Sequence, residues 1–176
     1  LLRPSRGLKI YGKGGTLFRY PFTDEQAVIT GFDDGFNKDL KPETGVTAEV
    51  GSTVILEDLL SLRLDGYYLL MQDEIAWSDP DGMLGPDPGK NINMNETRRW
   101  GADAELELKL HRRIGMSAAY GFVDARFSSG KNKNNLIPLV PAHSLDALLE
   151  LKPLKRLTIA PGASYRSERY KSGDEA

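Results

Sequence analysis

The sequence predicts an all-β fold, an antiparallel sheet whose strands cross a membrane as part of a larger barrel, and three observations predict it. Apolar and polar residues alternate with a period of two along most of the chain. The alternating segments stay regular over about 10–14 residues, where soluble strands average about 5–6. The connections between them alternate between short and long, as in barrels with tight turns on one side of a membrane and longer loops on the other.

The elements follow in order. An opening strand is expected near Leu8 to Lys13. In Thr44 to Leu56, Val46, Ala48, Val50 and Val54 oppose Thr47, Glu49 and Thr53; in Leu60 to Asp65, three leucines alternate with Ser61, Arg63 and Asp65. Gly101 to Leu110 is the clearest case, with Ala102, Ala104, Leu106, Leu108 and Leu110 on one face and Asp103, Glu105, Glu107 and Lys109 on the other. A helix would mix these two sets around its circumference, whereas a strand separates them. Gly115 to Phe127 places Met116, Ala118, Tyr120 and Phe122 together. Ser144 to Leu151 and Leu157 to Arg166 complete about seven meander strands. Pro161 falls inside the last and cannot donate to a ladder, so a bulge is expected there. Short connections sit at Glu57-Asp58, at His111-Arg112-Arg113 and at Pro153-Leu154-Lys155-Arg156. Long ones cover roughly 14–41, 78–94 and 128–139 and carry turn formers such as Asp79-Pro80-Asp81-Gly82.

The aromatics agree with a membrane crossing. Tyr68 comes eight residues after Leu60, Tyr165 eight after Leu157, and Trp100 ten before Leu110, all on the apolar face. At about 3.3 Å per residue and a tilt of about 40°, that is a climb of about 20–25 Å, roughly the height of an apolar band with its aromatic girdle. Glu49, Arg63, Asp65, Asp103, Glu105 and Glu107 on the opposite face would make a charged inner wall. Composition limits other classes. With no cysteine there are no disulfides or cysteine-based metal sites, and a net charge of −2 gives no footprint for nucleic acid. No apolar run approaches the ~18 residues of a membrane helix, which leaves barrel strands untouched. Neither end shows a secretory leader or a closing element, so a segment of a longer chain is expected.

Several short motifs resemble the late barrel strands of TonB-dependent receptors. They are Tyr11-Gly12-Lys13-Gly14 followed by Phe18-Arg19-Tyr20-Pro21, Leu40-Lys41-Pro42-Glu43, Asn95 through Glu105, Tyr120-Gly121-Phe122-Val123-Asp124-Ala125-Arg126, Ile137 through His143, and Pro153 through Tyr170. Each is short, but their order runs over nearly the whole chain. The resemblance implies that residues 1–176 are a partial receptor β-barrel domain, with the plug domain and the last strands lying outside it. It further implies a barrel of about 22 strands with a plugged lumen. It implies a Gram-negative outer-membrane location, contact with membrane lipid, and import energised by TonB through an N-terminal region. The cargo would be a siderophore, another metal chelate or a cobalamin-type ligand.

No catalytic constellation is present, and neither an enzyme nor a bound cofactor is expected. His111 reads as solvated in a turn and His143 as structural at a strand start. Ligand contacts are expected from Arg19, Tyr20, Phe22, Trp77 and Met83, apolar or hydrogen-bonding groups near the long loops, which otherwise cap the rim. Asp79, Asp81 and Asp87 crowd one loop as Ca²⁺ would require, but Asp-Pro and Asp-Gly are also ordinary turn pairs and the spacing is not an EF-hand, so no metal site is assigned. Two alternatives stay open from periodicity alone. One is a soluble β-sandwich binding module with one solvated face. The other is a passive porin-type barrel without energy coupling.

Overall fold

The computed structural model describes residues 1–30, 33–78, 89–94 and 96–171. Its main sheet is an antiparallel meander of long strands: β1 (Leu2–Ser5), β2 (Leu8–Arg19), β5 (Glu43–Leu56), β6 (Leu60–Gln72), β9 (Thr97–His111), β10 (Ile114–Phe127), β11 (His143–Leu154), and a last crossing split into β12 (Leu157–Ile159) and β13 (Gly162–Arg166). The intervening elements belong to the long connections: α1 (Thr23–Gln26) and the hairpins β3 (Ala27–Thr30) with β4 (Asp33–Phe36), and β7 (Ile75–Ser78) with β8 (Lys90–Asn93). All seven expected strands are present, and β1 adds a short eighth strand too brief to cross. The sheet is open: among the described residues β1 pairs only with β2, and β12 and β13 only with β11.

Three expectations are corrected. The opening strand runs on to Arg19, six residues past its expected end, because β5 supplies a partner for every residue from Leu8 to Arg19. Gly14 and Gly15, expected to open the first long connection, lie in the ladder. The long connections carry hairpins of their own. The bulge expected at Pro161 is absent. Ile159 opposes Leu151 and Gly162 opposes Leu148, so equal numbers of residues lie between on the two strands. Pro161 still accepts the Leu149 N–H through its carbonyl at 2.9 Å, so the ladder loses one bond and keeps its register. The register shift falls nearer the turn, between Leu151 and Leu154, where β11 carries Pro153.

The two faces differ as the alternation predicts. One row across the inner face reads Tyr11, Gly51, Asp65, Asp103, Gly121, Ser144 and Arg166. Among the described residues no second sheet covers the apolar residues of the outer face: Val50 is 61% exposed, Trp100 47% and Tyr165 58%. A sandwich would bury these positions against a facing sheet about 10 Å away. Uncovered apolar area of this extent marks a surface that meets a membrane or another protein. The buried side chains Leu40, Met71, Thr97, Ala125 and Phe127 sit instead at the long-loop end, where the connections fold back on the inner side of the strand ends.

The register also contains the tilt of a barrel wall. Leu8 opposes Val54, and β5 continues two residues further to Leu56. Leu60 opposes Leu108, and β9 continues three further; Ile114 opposes Leu151, and β11 continues three further. The aromatics drift the same way: Trp100 opposes Tyr68, while Tyr120 and Tyr165 share a row through Leu145, four residues nearer the turns. A stagger of about 1–1.5 residues per strand, at about 3.3 Å per residue and 4.8 Å between strands, is a tilt of about 35–45°. One strand on from β9, that stagger brings Phe122, two residues nearer the turns than the Trp100 row, level with the girdle, while Tyr120 stays about two to three residues below it.

Candidate functional site

The inner wall is built where β2, β5, β6 and β9 run side by side. Alternation points Tyr11, Lys13, Glu49, Arg63, Asp65 and Asp103 to one side, and the register places them within reach of each other. The Tyr11 hydroxyl lies against Glu49 Oε1 at 2.7 Å and against Asp65 Oδ1. It has one proton to give, and Arg63 Nη2 donates to it at 3.3 Å. Arg63 Nε pairs with Asp65 at 2.6 Å and Lys13 with Glu49 at 2.9 Å. Tyr67, Asp103 and Glu105 extend this cluster around an open depression of about 290 Å³.

Glycine makes room for the tyrosines. Tyr11 pairs directly with Gly51, and Tyr67 directly with Gly101. A Cβ at Gly51 would meet the Tyr11 ring at 2.6 Å, and one at Gly101 the Tyr67 hydroxyl at 2.5 Å. Each ring thus lies over a neighbour without a side chain, which packs the wall without closing the lumen.

The second part of the site is the loop rim. Arg19, at the end of β2, forks between two carboxylates: Glu43 at 2.6 Å and Glu25 at 2.8 Å. Its guanidinium also lies 5.2 Å from the Phe22 ring centroid. Glu43 stands five residues beyond Ala48, which pairs with Tyr68 of the girdle, so this cluster lies outside the apolar band. The hydrogen bonds from Arg19 hold both Glu25 and Glu43 below the ordinary carboxylate range, against partial desolvation that acts the other way. Glu43 Oε1 also accepts the Ile75 N–H at 2.8 Å, tying the strand to the next connection.

Asparagines join the two long connections. Asn91 donates to the Glu25 carbonyl at 2.9 Å, and Asn37 donates to the Asn91 carbonyl at 2.8 Å. Asn93 donates to the carbonyls of Lys41 at 2.9 Å and Asp73 at 2.7 Å, and accepts from the Lys41 N–H at 2.8 Å. The described residues of the two connections, around Glu25, Asn37 and Lys41 on one and Asp73, Asn91 and Asn93 on the other, are therefore one hydrogen-bonded unit above the lumen.

Of the expected ligand contacts, Arg19 and Phe22 come together, while Tyr20 packs edge-on against Phe18 at 4.7 Å. Trp77 lies apart, its indole over Gly89 and largely exposed. Met83, and with it Asp79, Asp81 and Asp87, lies outside the described residues. Of the expected inner-wall residues, Glu49, Arg63 and Asp65 form the network, Asp103 and Glu105 line its depression, and Glu107 lies nearer the turns. Sequence reasoning missed Tyr11 and Lys13 as inner-wall residues because the first strand was expected without an assignment of its faces. It missed Asn37, Asn91 and Asn93 because single asparagines in loops carry no periodic signal; only their density in 91–95 hinted at them. His111 stays at its turn, its Nδ1 near the Arg113 N–H at 3.3 Å. His143 faces outward within the girdle, 2.7 Å from the Tyr120 hydroxyl.

An open, tilted, antiparallel wall with an uncovered apolar face, an aromatic girdle, a polar inner face and hydrogen-bonded loops at one end defines a segment of a transmembrane β-barrel. A profile described as TonB dependent receptor-like, beta-barrel matches residues 1–176, and the chain belongs to that family, whose members are transport receptors. It is 25% identical over 171 residues to the iron-regulated outer membrane virulence protein of Vibrio cholerae serotype O1, covering 89% of this chain and 26% of that protein. Among solved structures it resembles the siderophore receptor PirA from Pseudomonas aeruginosa, with a TM-score of 0.73 at 14% identity, covering 96% of this chain and 32% of that one. It also resembles the copper transporter OprC, with a TM-score of 0.71 at 19% identity, covering 94% and 25%. The chain thus spans about a quarter of the length of the curated relatives it matches. Family and fold place it in the Gram-negative outer membrane, and membership of a β-barrel family replaces the soluble sandwich.

Proposed function

We propose that this chain forms part of the barrel wall of a receptor that imports a ferric siderophore through the outer membrane with energy supplied by TonB. It is a carrier and not an enzyme. The observation that carries the reading is the pairing of a hydrogen-bonded loop unit over a polar inner wall. The loops offer aromatic and cationic groups at the mouth: Arg19, Tyr20, Phe22 and Trp77, with Met83 in the same connection. The wall offers a hydrated, charged surface on which a plug domain can rest and slide, since water-bridged polar contacts are nearly as favourable as direct ones. The relatives support iron as the element carried: one is named for iron regulation and others for siderophores. Residues 1–176 are in this reading a partial barrel domain, with plug, TonB-contacting segment and remaining strands elsewhere in the natural protein. Arg19 is already held by two carboxylates, so an anionic chelate would displace one of them to bind there.

Uptake tests this reading. Iron-starved cells with and without the natural gene would be given radio-iron bound to a panel of siderophores and, separately, labelled cobalamin. Loss of uptake for a ferric siderophore on deletion, with the same loss in a strain lacking TonB, supports the proposal. Loss of cobalamin uptake alone would move the cargo to cobalamin. Uptake that persists without TonB would replace the receptor with a passive porin.

A further inference from the structure

We infer that the outward face of β9 and β10, just beyond the aromatic girdle, binds the phosphate of an outer-leaflet lipid through Arg98. The register places Arg98 of β9 directly opposite Arg126 of β10. Both have the parity of Trp100 and Phe122, so both point outward, and Arg98 stands two residues beyond Trp100. Like charges directly opposed on one face of a sheet destabilise it unless something neutralises them. Arg126 is neutralised: its Nε pairs with Asp124 at 2.9 Å and its Nη1 donates to the Asn134 carbonyl at 2.8 Å. Arg98 is not. Among the described residues no carboxylate oxygen lies within 4.0 Å of its nitrogens. Its hydrogen bond to Asn134 Oδ1 is 3.5 Å long, and among the described residues its buried Nε–H has no acceptor. Glu96, the nearest acidic residue along the strand, turns to the Gln72 amide at 3.4 Å instead.

A guanidinium in this state presents a planar fork suited to a two-oxygen anion. Its height selects the anion. Outward residues just beyond the girdle stand at the headgroup level, where the membrane's own phosphates are. The same face supplies room for the rest of the amphiphile. Four and six residues down β9 from Arg98, Ala102 and Ala104 combine with Val50, Leu64 and Gly66 to leave an apolar groove of about 540 Å³, closed on one side by Tyr120. A phosphate at Arg98 and an acyl chain in this groove are the two ends of one phosphorylated lipid, which is why the site is assigned to lipid and not to free phosphate.

The test uses the natural full-length protein folded in detergent micelles, with lipid A and its dephosphorylated form as probes and native mass spectrometry to count bound lipid. Wild type should retain lipid A at least tenfold better than the dephosphorylated form. Arg98→Gln should erase that preference, while Arg112→Gln in the short turn at the far end should keep it. Arg98→Lys, which keeps the charge and loses the fork, guards against a folding failure and should retain lipid A at an intermediate level. Equal retention by wild type and Arg98→Gln, or no preference for phosphate in wild type, would overturn the assignment. Displacement of lipid A by millimolar inorganic phosphate would overturn the lipid as ligand.

Discussion

Gly101→Ala should weaken the barrel wall far more than Gly66→Ala, although the two glycines lie on adjacent strands only one row apart. Gly101 faces inward under the Tyr67 ring; Gly66 faces the lipid. A Cβ at Gly101 would stand 2.3 Å from the Phe122 carbonyl oxygen and 2.5 Å from the Tyr67 hydroxyl. Real Cβ contacts do not fall under 3.0 Å, so the backbone oxygen must retreat by at least 0.7 Å. The tyrosine can swing aside, but the carbonyl is held in the β9–β10 ladder. Overpacking of this kind costs about 1–3 kcal/mol. At Gly66 the nearest atom is 3.9 Å away, and removing glycine's unfolded-state freedom should stabilise by about 0.4–1 kcal/mol. The two variants should therefore differ by about 1.5–4 kcal/mol. Urea-dependent folding of the natural protein into lipid vesicles, followed by tryptophan fluorescence and by heat-modifiable gel migration, measures the difference. If the two variants agree within about 0.5 kcal/mol, the tyrosine-over-glycine packing of the inner wall is wrong.

The remaining predictions concern the two faces and the rim. Leu106→Arg, outward in the middle of β9, should cost about 2–4 kcal/mol in vesicle folding, while Glu107→Arg next to it on the inner face should stay within about 1 kcal/mol. Equal costs would remove the assignment of faces. Brominated lipids should quench Trp100, at the girdle, much more than Trp77, in the loop; single-tryptophan variants separate the two. At the rim, Glu25 and Glu43 are held below their ordinary value of 4.5, chiefly by Arg19. Their stabilising effect is therefore complete above that value and is lost as pH falls through the lowered ones. Protease nicking within residues 20–42 should rise only below about pH 4.5, and Arg19→Ala should show raised nicking already at neutral pH. A flat pH profile in wild type would separate the clamp from loop stability.

The loop unit gives the rim a mechanical character that individual contacts do not show. Glu43 accepts from Arg19 and from the Ile75 N–H, and Asn91 and Asn93 carry hydrogen bonds from one connection to the other. A disturbance at Arg19 therefore reaches the hairpin that carries Trp77. Each exposed bond contributes little alone, about 0.5–1.5 kcal/mol. Several bonds in one unit make the two connections move together.

The sequence by itself determined the strands, their faces and the side on which the long loops lie. These are local properties: alternation with a period of two is written in consecutive residues, and Leu60 to Asp65 or Gly101 to Leu110 needs no partner to show it. The girdle residues Tyr68, Trp100 and Tyr165 were legible for the same reason, since their distance from a turn is a count along one strand. The tertiary structure decided everything that depends on which residue comes opposite which. The stagger that levels Phe122 with Trp100, the seats of Tyr11 and Tyr67 over Gly51 and Gly101, and the opposed pair Arg98 and Arg126 are all matters of register. So is the behaviour of the prolines, for Pro161 keeps register by accepting where it cannot donate, while the shift falls beside Pro153. The Arg19 clamp joins residues 24 positions apart, and the asparagine ties join residues up to 66 apart. Separations of that size leave no mark on local pattern, because only the folded sheet brings those groups within hydrogen-bonding distance.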